Sequence, residues 1–83
     1  MTVTLRLGKP YKSSDVDWAC PVALDGIYKR LADQHGIDSF KALMLAQSLL
    51  RQLMAEVIED GGCFRLIEDD SVVDLEALFA RGL

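Results

Sequence analysis

Val3, Leu5 and Leu7 alternate with Thr2, Thr4 and Arg6 at the start of the chain. A period of two is that of an extended strand with one face buried. Gly8-Lys9-Pro10 ends this strand, and residues 9–17, with Ser13, Ser14, Asp15 and Asp17, read as a polar connection. Val16, Trp18, Cys20, Val22 and Leu24 then take every second position again and predict a second strand. Pro21 falls on its outward side and has no N–H for a ladder, which points to a sheet edge or a backbone position facing solvent. Asp25-Gly26 supplies turn chemistry.

Residues 27–35 carry two patterns. Ile27 and Leu31 are spaced for a helix, whereas Leu31, Asp33 and His35 would share one side of a strand. A third strand after the Asp-Gly turn would complete an antiparallel meander, and that is preferred to a short helix.

The period changes at Asp38, the natural N-cap of a long helix running to Asp60 and stopped by Gly61-Gly62. Phe40, Leu43, Ala46, Leu50, Leu53, Met54, Val57 and Ile58 form one apolar stripe opposite Lys41, Ser48, Gln52 and Glu59. Such a helix is a rod of roughly 30 Å, long enough for a sheet to lie along it. Leu45 and Leu49 fall outside the stripe and widen the apolar face. Either the helix is gripped on two sides or these leucines meet a partner.

After the glycines, Cys63-Phe64-Arg65-Leu66-Ile67 is rich in strand formers and predicts a last strand returning to the sheet. Ser71-Val72-Val73-Asp74 has capping-box spacing, and Leu75, Leu78 and Phe79 give a helical apolar face. A short helix ending near Arg81-Gly82 is expected for residues 71–83, with a hairpin strand through Val72-Val73 as the alternative.

At 83 residues the chain has room for one small core, and 51% hydrophobic with 27% charged residues is the balance of a folded domain. Of the net charge of −4, most lies late in the chain: eight carboxylates stand between Glu56 and Glu76 with Arg65 the lone cation among them. That field repels a polyanion, so no nucleic-acid partner is expected, and a solvated face is the simpler account of the run. The alternating N-terminus lacks the basic start and apolar run of a signal peptide, and charged and amide side chains interrupt the long helix, so neither export nor a membrane span is predicted. A reducing cytoplasm then leaves Cys20 and Cys63 as thiols.

Candidate chemistry is sparse. Cys20, His35 and Cys63 are too widely spaced for a zinc motif, Glu68-Asp69-Asp70 lacks the alternating oxygens of a calcium loop, and Gly61-Gly62 follows a helix where a phosphate cradle would precede one. No metal, cofactor or nucleotide is therefore expected. Trp18 shares a strand face with Cys20 and Val22 and is either a core aromatic or an interface anchor.

Trp18-Ala-Cys-Pro21, Leu24-Asp-Gly26 and Gly36-Ile-Asp-Ser-Phe-Lys-Ala-Leu-Met-Leu-Ala46 together resemble a family of small bacterial domains of unknown function, over about residues 16–62. Its members show a Trp-x-Cys-Pro strand, a glycine turn and a Gly-Val/Ile-Asp-x-x-x-Ala-Leu start to one long helix. The resemblance implies a bacterial cytosolic protein, favours a strand within residues 27–35, and implies no activity. The tail from Ser71 to Leu83 departs from the family pattern.

The sequence thus predicts a single α+β domain over residues 1–83, an antiparallel sheet of three to four strands packed on one long amphipathic helix, with a short C-terminal helix. The expected function is a noncatalytic protein–protein interaction or homodimerisation module, with Leu45, Leu49 and Trp18 as the partner surface. The alternative is a small enzyme or ligand-binding protein using Cys20 or Cys63 with His35.

Overall fold

The computed structural model describes residues 2–80. Its elements run β1 (Thr4–Leu7), β2 (Tyr11–Ser14), β3 (Asp17–Cys20), β4 (Val22–Asp25), β5 (Gln34–Gly36), α1 (Ser39–Glu59) and α2 (Leu75–Ala80). This is the expected α+β class, with its strands divided between two antiparallel sheets, β1-β4 and β2-β3-β5. The chain divides into two compact units, one ending at Leu50 and the other beginning at Arg51, so the division falls within α1.

Three sheet expectations in the unit ending at Leu50 need correction. Residues 11–14 form strand β2 where a polar connection was read: all four are exposed, so they give no burial alternation, and they are held by pairing with β3. The predicted strand from Val16 to Leu24 is interrupted at Pro21, which supplies only its carbonyl, to Gly8 N at 2.9 Å. Its two halves therefore join different sheets, β4 pairing with β1 and β3 with β2 and β5. The meander also fails, because β5 pairs with β3 and the strand within residues 27–35 is confined to Gln34 and His35. Gly26, at φ 101°, turns the chain so that Leu24 O takes both Ile27 N and Tyr28 N. A Cβ there would stand 2.4 Å from Thr2 O, so only glycine fits.

The helix ends follow their local chemistry. Asp38 Oδ1 accepts Lys41 N at 2.7 Å, capping the first turn of α1. At the other end Gly61, at φ 97°, donates to Ile58 O, and Gly62 donates to Val57 O at 2.9 Å, the paired bonds of a Schellman cap. The buried row of α1 is Ala42, Ala46, Leu50 and Met54. Phe40 and Ile58, placed in the stripe from sequence, are exposed. In each unit, therefore, the covered face of the helix is narrower than its apolar one.

In the unit ending at Leu50, the core is built by Cys20 of β3, Val22 and Leu24 of β4, and Ala42, Ala46 and Leu50 of α1, and Ala19 is buried on the other face of β3. Gly36 permits the approach of helix to sheet, since a Cβ on it would stand 2.7 Å from Ala42 N. In the unit beginning at Arg51, Cys63–Ile67 does not form the predicted sheet strand: its one bridge joins Arg65 to Val72. Leu66 N bonds Ser71 O and Val73 N bonds Phe64 O around a turn in which Asp70 takes φ 59°. The acidic residues that made this segment polar are used in that turn, Asp69 accepting Ser71 N and Oγ. The terminal helix is α2, capped by Asp74 and not by Ser71, with Asp74 Oδ1 accepting Glu76 N at 3.1 Å. Its predicted end at Arg81-Gly82 lies outside the described residues.

Candidate functional site

Strand parity gathers a group of polar side chains on one face of the three-stranded sheet. Tyr11, Ala19 and His35 form one cross-strand row, and cross-strand partners share a face. Asp17 lies two residues from Ala19 and Asp33 two from His35, so both fall on the same side. Trp18 and Cys20 point the other way, where Cys20 is buried and Trp18 half-buried.

His35 Nδ1 stands 2.5 Å from Asp17 Oδ2, and Ser13 donates its hydroxyl to the same carboxylate oxygen. Tyr11 donates its hydroxyl to Asp33 Oδ2 at 2.5 Å. The Ser13 hydrogen bond, followed by that of His35, holds the Asp17 carboxyl below the ordinary carboxylate range. The bond to Asp33, then burial and the charge of Asp33, push the Tyr11 phenol up. In this cluster the carboxylate stands between serine and imidazole. Ser13 therefore donates its hydrogen bond to Asp17 and is not activated by His35, as a nucleophilic relay would require. The chemistry suits a clamp across β2, β3 and β5.

The two cysteines are unpaired. Cys20 sits against Pro21 and Gly8, with Sγ 3.5 Å from Gly8 O, and burial followed by the charge of Asp33 pushes its thiol up. Its register partner is Gln34, one residue from His35. That single step puts the thiol and the imidazole on opposite faces, so no Cys20–His35 pair forms. Cys63 is exposed in the other unit. Among the described residues, no three His, Cys, Asp or Glu side chains converge as metal ligands, and no helix is long and apolar enough to cross a membrane. An open cleft of about 340 Å³ runs along Arg6–Gly8 and Pro21–Ala23 and reaches Asp33. The charge of its Arg6 is matched by Asp25, with Arg6 Nε 2.6 Å from Asp25 Oδ2.

Leu45 and Leu49 are half-buried on one flank of α1, as Trp18 is on β3. In the unit ending at Leu50 the exposed apolar residues include Leu5 and Leu7 on β1, Val16 before β3, and Ile37, Phe40 and Met44 around the start of α1, and in the other unit Ile67 and Val72 are open as well. Sequence pattern assigned Leu5, Leu7 and Phe40 to the core. The four-residue spacing of Phe40 and Met44 is the available sign of a second apolar row on α1, whereas Ile37 precedes its Asp38 cap.

No curated protein and no solved structure matches the chain. A family model does, over residues 1–61, from the start of the chain through β1–β5 and α1 to its Gly61 cap. The chain accordingly belongs to the family described as domain of unknown function DUF6968.

Proposed function

We propose that the chain is a noncatalytic protein–protein interaction module of a bacterial cytoplasm, working as a homodimer. Apolar surface left open on the unit ending at Leu50 supports this: Ile37, Phe40 and Met44 are 82%, 63% and 37% exposed, and Leu5 and Leu7 are 37% and 41% exposed. Single exposed apolar side chains are ordinary on monomers, whereas rows of them mark contact surfaces. Small domains bury a low fraction of their surface, and association supplies what the core lacks. Leu45, Leu49 and Trp18, being half-buried, are secondary contacts. The unpaired thiols fit a reducing compartment.

Native mass spectrometry of the purified chain tests the reading. A species at twice the 9.2 kDa chain mass is expected. A monomer that stays monomeric as concentration rises contradicts it.

A further inference from the structure

We infer that two copies of this chain join through the free edge of β1, forming a four-stranded sheet β4-β1-β1-β4 about a two-fold axis. The inference rests on the homodimer reading and assigns its surface. Gly8 N donates to Pro21 O, so with the register Leu7↔Val22, Arg6↔Ala23 the bonded positions of β1 are Thr4, Arg6 and Gly8. The N–H and C=O groups of Leu5 and Leu7 therefore point away from β4. The complementary alternation is visible on β4, where Leu24 O turns away from β1 to accept Ile27 N and Tyr28 N. Among the described residues nothing pairs with the outer edge of β1. An edge with unmet backbone groups is a template for another strand.

A second copy fits this edge in one register better than another. With Leu5 opposite Leu5 of the second copy, Leu7 faces Val3 and Arg6 faces Thr4. Up to about six backbone hydrogen bonds then form. Leu5 and Leu7 share their face with Leu24 and Val22, their partners on β4, so the apolar face continues from one copy into the next. Shifting the register by one pair sets Arg6 directly against Arg6, and two guanidinium groups so placed crowd and repel each other although each also holds Asp25. Identical patches meeting each other in this way is the geometry of a closed two-fold dimer. The contact is small, so association is weak and concentration-dependent.

Amide hydrogen exchange followed by NMR at low and high chain concentration tests the proposal. The Leu5 and Leu7 amides should gain protection as concentration rises, while those of Thr4 and Arg6, already bonded to β4, should not change. Thr4 is exposed and lies opposite Asp25 on β4, so Thr4→Lys should fold; it places a cation opposite Arg6 of the second copy at two symmetric points, which should weaken the dimer about three- to tenfold. Leu5→Pro removes an edge N–H and should abolish it, with circular dichroism to check folding; if this variant does not fold, Thr4→Lys decides. A dimer whose Leu5 and Leu7 amides stay unprotected, or whose affinity Thr4→Lys leaves unchanged, overturns the β1 edge and leaves the homodimer standing. A chain that never dimerises overturns both.

Discussion

Asp17 Oδ2 lies 2.5 Å from His35 Nδ1, tying β3 to β5 on the outer face of the three-stranded sheet, and Ser13 of β2 donates to the same oxygen. Three strands thus converge on one carboxylate. The Asp17 carboxyl is held below its ordinary range by Ser13 first and His35 second. A depressed folded pKa means that the stabilisation is complete above the unfolded value of about 3.9. It is lost as pH falls through the lower folded value. Thermal melts from about pH 6 down to about pH 2 should show a steeper acid loss in wild type than in Asp17→Asn. Equal slopes would show that the clamp contributes nothing.

At Gly36 the sheet comes close to the helix backbone. A Cβ there would stand 2.7 Å from Ala42 N and 2.9 Å from the Lys41 carbonyl carbon. These are backbone atoms at the start of a capped helix and cannot turn aside as a side chain would. Gly36→Ala should cost roughly 1–3 kcal/mol by urea denaturation. A change below about 0.5 kcal/mol would place the helix farther from β5.

Leu50 is 1% exposed and Phe40 63% exposed on the same helix. Leu50→Ala should cost about 2–5 kcal/mol, since it removes buried surface and leaves a cavity. Phe40→Ala should stay within about 0.5 kcal/mol in the monomer. Comparable losses would mean that the covered face of α1 has been assigned wrongly.

The thiols should separate cleanly. Cys63 is exposed, and Cys20 is buried with its thiol pushed up. A thiol-reactive probe should label Cys63 at once in the folded protein and reach Cys20 only on denaturation, because the thiolate is the reactive form. Fast native labelling of Cys20 would reopen a thiol-dependent activity.

The features legible in sequence are those set by near neighbours. Asp38 and Gly61-Gly62 bound α1 as read, because a cap satisfies its own turn. β1 carries its alternation openly, and it forms. β2 is invisible because Tyr-Lys-Ser-Ser does not alternate apolar and polar residues, whereas β1 does so although its four residues are exposed as well. Pro21 points in sequence to a sheet edge or a backbone position facing solvent, yet only the separate partners of β3 and β4 show that it divides two sheets. The Asp17–His35 contact joins residues 18 apart in sequence through the β3–β5 register, so it follows from strand parity and from no local motif. The same parity separates Cys20 from His35, a pair that composition alone would place together.

Self-association is the central claim, and sedimentation equilibrium of the wild-type chain over a wide concentration range tests it most directly. The mass should rise from 9.2 kDa toward twice that value as concentration increases. A mass fixed at that of one chain throughout would contradict it.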